Sequence, residues 1–339
     1  MPEAIGRANA TRIAGLAGLG ACLAFVCALS IAVGSRSIDL SIVVDALTGA
    51  GQDSTAQTVV RDIRVPRTLL GVLVGAALGL SGALLQGVTR NPLADPSIMG
   101  LSAGAAVFVV LGIATLGVDQ LSGYVWLAFA GTVVAAVLVY AVASFGREGA
   151  TPVKLALAGA AVAAGLWSVT TGVVMTDLDA LDQIRFWQLG SLAGRNMPVL
   201  EQVAPFIGVG LVLALVCGRA LNALALGDHT ARSLGQRVEL TRLLVLAAVT
   251  ILCGAATAAC GPIVFVGLVV PHVARAICGP DYRWILPYSL ILAPLIFLAA
   301  DVIGRLVVAP GELEVGVVLG VLGAPFFVAL IRYRNLAEL

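Results

Sequence analysis

Residues 61–96 read RDIRVPRTLLGVLVGAALGLSGALLQGVTRNPLADP. Between Arg67 and Arg90 no residue carries a charge, and that interval decides what kind of protein this is. A helix rises about 1.5 Å per residue, so about 20 residues cross the roughly 30 Å hydrocarbon core of a bilayer. Lipid offers no partner to a backbone N–H or C=O, which leaves a helix as the way for a single segment to cross. Gly71, Gly75 and Gly79 recur at every fourth residue and share one face, where missing side chains let a second helix come close. The segment predicts a membrane-spanning helix packed against another. It ends in a stiff turn, because Pro92 and Pro96 push Asn91 and Asp95 into extended conformations.

The rest of the chain repeats this pattern. Of its 339 residues 60% are hydrophobic and 12% charged, with a mean hydropathy of +1.03. A soluble domain carries about 25% charged residues, so this composition excludes a water-covered globule. Net charge is 20 − 19 = +1 without basic runs, which excludes nucleic acid as a partner. Six cysteines (22, 27, 217, 253, 260 and 278) lack the spacing of a metal site. Apolar runs fall at about 13–33, 66–88, 97–117, 123–145, 154–175, 198–218, 242–260, 262–278, 285–306 and 314–331. The seventh and eighth are divided at Gly261–Pro262, a pair that ends helices. The expected fold is an all-α polytopic membrane protein of about ten transmembrane helices, one domain over 1–339 with an N-terminal tail at 1–12 and a long loop at 219–241. With the N-terminus inside, 13 of the 20 basic residues lie on the cytoplasmic side; Arg36, Arg61, Arg64, Arg67, Arg185, Arg195 and Arg305 lie outside. The positive-inside rule then puts both termini in the cytoplasm. A cleaved signal peptide is the rival reading of the first run, whose length of about 20 residues disfavours it. Gly100, Gly104, Gly316 and Gly320 read as further close-packing positions.

Enzymatic and ion-coupled chemistries find little support. Charge at mid-span marks a proton or ion relay, and the nearest candidate, Asp301, has Arg305 four residues on as a plain ion-pair partner. The sole lysine, Lys154, follows Val153 rather than a glycine, so the chain has no P-loop. Asp177, Asp179 and Asp182 form a DxDxxD-like cluster that a diphosphate-processing enzyme would use, but no second acidic cluster faces it. His229 and His272 lack nucleophilic partners.

Four polar segments stand out. Arg61, Arg64 and Arg67 begin the second span on a face that is otherwise acidic; two readings stay open, recognition of an acidic partner protein, or a pairing of Arg61 with Asp62 or its snorkelling at the interface. The Asn91–Pro96 turn is either a gate or a connector. In 222–235, Asp228 is expected to cap a short helix and Gly235 to stop it. Leu224, Leu226, Ala231 and Leu234 are then expected to form a small apolar surface for a partner. In 265–275, Pro271 kinks a buried helix and His272 makes a structural hydrogen bond.

Together the strings at 64–105 (RVPRTLLGVLVGAALGLSGALLQGVTRNPLADPSIMGLSAGA), 225–235 (ALGDHTARSLG), 265–287 (FVGLVVPHVARAICGPDYRWILP), 298–306 (LAADVIGRL) and 311–331 (GELEVGVVLGVLGAPFFVALI) closely resemble the FecCD family. Those proteins are permease subunits of bacterial ABC importers for iron-siderophore complexes, haem and vitamin B12. The resemblance implies a fold like the vitamin B12 importer permease, in the bacterial inner membrane. It also implies a second permease subunit, identical or related, two ATPase subunits that bind ATP and magnesium, and an extracytoplasmic substrate-binding protein. No cofactor, metal site or catalytic residue is expected in this chain. The resemblance assigns Arg64, Arg67 and Arg305 to docking of the binding protein. It assigns Asn91, Pro92, Leu93, Thr151 and Pro152 to the cytoplasmic gate, and Leu226, Gly227, Asp228, Ala231, Arg232, Leu234 and Gly235 to ATPase coupling. Trp187, Gln188 and Ser191, after Phe186, are expected to line the pathway. Pro152 and Val153 replace the family's small hydroxyl residues, and Glu314 and Leu319 depart from its usual Pro and Thr. The expected activity is import of a metal chelate, most simply a ferric siderophore, by alternating access; haem, cobalamin and an ion-coupled carrier are the alternatives.

Overall fold

The computed structural model describes residues 2–34, 38–49, 54–118, 121–145, 151–177, 181, 184–185 and 187–333. Arg36, Asp179, Asp182 and Phe186 lie outside the described residues, as does the side chain of Pro152. Among the described residues every regular element is helical: α1 (Pro2–Ala32), α2 (Leu40–Thr48), α3 (Thr55–Thr58), α4 (Val65–Thr89), α5 (Leu101–Leu116), α6 (Leu121–Ser144) and α7 (Pro152–Thr176). They continue with α8 (Met197–Val216), α9 (Gly218–Ala225), α10 (Asp228–Ser233), α11 (Val238–Cys260), α12 (Val266–Cys278), α13 (Tyr282–Val307) and α14 (Val315–Tyr333). Each of the ten apolar runs has its helix. Seven are long and apolar enough to cross a membrane: α1, the continuous α3–α4 segment, α6, α7, α8, α11 and α13. The apolar α5, α12 and α14 are shorter.

The helix starts and stops follow local chemistry. Asp95 is extended and its Oδ1 accepts from Ser97 N at 2.9 Å, but it caps a 3-10 turn (Pro96–Met99) rather than α5 itself. Gly100, at φ 72°, then lets the chain re-enter the α-helix. Thr151 caps α7 through Lys154 N at 3.3 Å. Between Cys260 and Val266 the helix breaks as Gly261–Pro262 predicts. Gly261 holds φ 79° with the Trp187 carbonyl packed where a side chain would go, a conformation that costs an L-residue more than glycine.

α4 is the centre of the bundle and is buried almost all round. A helix apolar on every face belongs in such a core. Its glycine stripe meets α13: Gly71 faces Leu298, Gly75 the backbone of Pro294, and Gly79 Ala293 and the Ser289 carbonyl. On another face Gly82 abuts the backbone of Gly267 in α12. Gly104 and Gly131 bring α5 and α6 together in the same way, whereas Gly320 of the last span faces open space. Because lipid is as apolar as leucine, such helices associate through close packing rather than water exclusion. α1 and α7 lie at the periphery, with most of their side chains outward.

Candidate functional site

The charged and polar groups gather at the two ends of α4. At the Arg67 end Asp301 is the hub, 1% exposed. Arg67 grips it in a fork, Nη2 to Oδ1 at 2.8 Å and Nε to both oxygens at 3.2 Å, while its Nη1 reaches Glu312 Oε2 at 2.8 Å. Arg305 Nη2 pairs with Asp301 Oδ2 at 2.8 Å. Two guanidiniums thus meet two carboxylates, which is what a dehydrated charge cluster requires.

The other donors of these arginines go to the end of α1. Its last carbonyls have no partner within the helix and carry the negative end of its dipole. Arg305 Nη1 donates to the Ser30 and Val33 carbonyls at 2.9 and 2.7 Å, and Arg64 Nη1 to those of Ile31 and Ala32 at 3.0 and 2.7 Å. Ser30 Oγ accepts from Arg305 Nη2 at 2.8 Å and bonds Thr68 Oγ1 at 2.9 Å. Arg61 Nε donates to the Ala46 carbonyl at 2.7 Å. Arg64, Arg67 and Arg305 are all buried. Glu312 and the carbonyls of α1 gave no signal in the sequence.

At the other end the turn after α4 faces the start of α7. Arg90 closes α4 in a left-handed conformation, φ 50°. Asn91 Oδ1 accepts from Leu93 N at 2.9 Å, an Asx turn that stiffens the segment with Pro92. Asn91, Leu93 and Asp95 from one side and Val153, Leu155 and Leu157 from the other line a cavity of about 310 Å³. Of the gate residues expected from sequence, Asn91 and Leu93 line this cavity, whereas Pro92 and Thr151 are not among its lining. Burial pushes the Asp95 carboxyl above its ordinary value.

α10 lies at this same end. Gly227, φ 97°, occupies the N-cap position, and Asp228 is the first helical residue rather than the cap. Its Oδ2 takes Arg242 Nη2 at 2.7 Å and its Oδ1 lies 3.2 Å from Arg90 Nη2. Gly235, φ 80°, ends the helix as expected: its N–H bonds the Arg232 carbonyl and Gln236 N the Ala231 carbonyl, a Schellman pattern. Leu224 and Ala231 are buried, so the expected apolar surface reduces to Leu226 and Leu234, 63% and 61% exposed. Arg232 is exposed beside Glu239, at 3.3 Å.

The segment after α7 folds inward. Trp187 and Ser191 are buried and Gln188 half-buried. Ser191 N bonds the Cys260 carbonyl at 2.7 Å, and Gly316 N the Gly190 carbonyl at 3.0 Å. The segment thereby wedges the break between α11 and α12 against α14. Trp187 Nε1 is buried and finds no hydrogen-bond partner among the described residues. His272 makes the expected structural bond, Nδ1 to the Leu268 carbonyl at 2.9 Å.

Comparison with known proteins matches this arrangement to one family. The family model described as the FecCD transport family covers residues 22–333. The ferric enterobactin transport system permease protein FepD of Escherichia coli (strain K12) is 46% identical over 330 residues, 97% of this chain and 98% of that one. The hemin transport system permease protein HmuU of Yersinia pestis is 38% identical, covering 80% of this chain and 82% of its own. A solved structure described as an inward-facing conformation of a metal-chelate type ABC transporter superposes with a TM-score of 0.82 at 26% identity, over 94% of this chain and 99% of that one.

Proposed function

The chain belongs to the FecCD transport family, and from that premise we propose that it is the membrane permease subunit of an ABC importer carrying a ferric siderophore into a bacterial cytoplasm. The observation that carries this reading is the 46% identity, over nearly the whole of both chains, to a ferric enterobactin permease. The chain sits in the inner membrane as a ten-helix unit with both termini in the cytoplasm, so that the Arg67 end faces out and the Arg90 end faces in. It pairs with a second permease subunit. Two ATPases below hold the nucleotide and magnesium, and a binding protein delivers the chelate above.

Alternating access then maps onto the two ends of α4. The binding protein sets an acidic group against the outer cluster of Arg64, Arg67 and Arg305, where Glu312, the partly exposed partner of Arg67, is the carboxylate it displaces. Leu226 and Leu234 seat α10 on an ATPase. Nucleotide-driven movement opens the inner cavity between Asn91–Leu93 and Thr151–Leu157. Trp187, Gln188 and Ser191 border the path between them.

The test is uptake of radio-iron-labelled ferric enterobactin in a strain deleted for its own permease and supplied with this chain and its partner subunits. Uptake should return with the wild-type ATPase and vanish when the ATPase cannot hydrolyse ATP. Uptake that persists without hydrolysis and collapses with a protonophore would overturn the reading in favour of an ion-coupled carrier.

A further inference from the structure

The resemblance that predicts α10 as the coupling element treats Asp228 as part of the surface offered to the ATPase. The geometry turns this side chain the other way. Both of its oxygens face the permease's own body: Oδ2 accepts a hydrogen bond from Arg242 at 2.7 Å, and Oδ1 makes an ion pair with Arg90 at 3.2 Å without hydrogen-bond geometry. The side chain of Arg242 is 11% exposed and sits in the second turn of α11. Arg90 is the C-cap of α4, directly before the gate turn.

We propose that Asp228 is the positioning residue through which displacement of α10 is passed to the inner gate, by way of Arg90. The inference rests on the transport reading above and adds a route to it. Three features make the route mechanical. The turn beyond Arg90 is stiff, since Pro92, the Asx bond of Asn91 and the Asp95 cap tie residues 91–97 together, so a shift at Arg90 moves Leu93 at the mouth of the cavity. Arg90 holds a left-handed backbone conformation that a non-glycine residue adopts only when its surroundings enforce it. Finally, Asp228 ties the end of α4 and the start of α11 to one carboxylate, so the two helices follow α10 together. Packing of Leu221 against Gly87 joins α9 to α4 as well, so loss of the ion pair weakens the coupling without abolishing it.

The experiment uses the complete importer, purified and reconstituted in proteoliposomes, with radio-iron-labelled ferric enterobactin as probe and chelate moved per ATP hydrolysed as readout. Arg90→Gln should lower that ratio about fivefold, the scale of one partly exposed ion pair, while the complex assembles and still hydrolyses ATP. Arg90→Lys, which keeps the charge, should restore most of it. Asp228→Asn should lower the ratio at least as far, and the double variant no further than Asp228→Asn alone, because linked residues are not additive. If Arg90→Gln does not assemble, Arg90→Lys against Asp228→Asn carries the comparison. A wild-type ratio in Arg90→Gln, uptake and hydrolysis falling in proportion, or additive losses in the double variant would each overturn this inference and leave the transport reading intact. A wild-type complex that moves no chelate on ATP overturns both.

Discussion

Replacing Asp301 by Asn should be among the most damaging isosteric changes available to this chain. The substitution keeps the shape and removes one charge from a site 1% exposed, leaving Arg67 and Arg305 to share what remains. Removing one partner of a buried ion pair costs about 3–5 kcal/mol. Glu312 still neutralises Arg67 at 2.8 Å and the α1 carbonyls still accept from Arg305, which places the loss near the lower end, about 3 kcal/mol. At about 2.1 cal/mol/K per residue the 339-residue chain unfolds with an entropy of about 0.7 kcal/mol/K, so the melting point should fall by about 4 °C. The protein carries its own reporter, because Cys217, Cys253, Cys260 and Cys278 are buried thiols. A dye that fluoresces on reacting with thiols will register their exposure as detergent-solubilised protein is heated. Glu312→Gln is the internal control: its side chain is 27% exposed, so the loss should be about 1 kcal/mol or less. An Asp301→Asn melting point within about 2 °C of wild type, or one no lower than that of Glu312→Gln, would refute the claim that a dehydrated charge cluster holds this end together.

The same melting assay and the uptake assay check four more expectations. Gly82→Ala sets a Cβ against the backbone of Gly267, which has no rotamer to yield, and should cost about 1–3 kcal/mol; Gly18→Ala, with nothing within 4 Å, should leave the melt unchanged. Leu226→Ser with Leu234→Ser should abolish co-purification of the ATPase, yet shift the melt by no more than about 1 kcal/mol for two exposed sites. Ser191→Trp should slow chelate uptake with the protein still inserted, and unaltered uptake would remove residues 187–191 from the pathway. The hydrogen bond from Arg283 holds the Asp281 carboxyl at about 2, against about 3.9 in the unfolded chain. Its stabilising contribution is therefore complete above about pH 4 and lost as the pH falls toward 2. The difference between Asp281→Asn and wild type should stay flat from pH 5 to 8 and shrink only below about pH 4; a change between 5 and 8 would contradict this assignment.

What the sequence discloses and what it hides divide along physical lines. Spans are legible because length and apolarity are local, and so are the Gly261–Pro262 break and the Asp301–Arg305 pair, one helical turn apart. The turn at 91–96 is legible because proline acts on its immediate neighbour. Arg67 and Asp301 are 234 positions apart, and nothing in either neighbourhood says that they meet. Glu312 stands in an irregular segment with no periodicity to place it, and the acceptors on α1 are carbonyls, which every residue has. The apolar surface around α10 is smaller than its sequence suggests for a related reason: six residues give too few turns to fix that Ala231 and the neighbouring Leu224 of α9 are covered. The density of arginines at 61–67 is conspicuous in the sequence, whereas their orientation depends on elements elsewhere in the chain, α1 and α13 above all.

The scarcity of lysine has a practical sequel. Lys154 is the sole one in the polypeptide and lies in the first turn of α7, its sequence neighbours Val153 and Leu155 both lining the 310 Å³ cavity. Amine-directed chemistry thus finds a single side-chain address, set by nature beside the doorway whose opening one wishes to watch. A fluorophore attached there would report transit in real time without engineering a label or silencing native thiols.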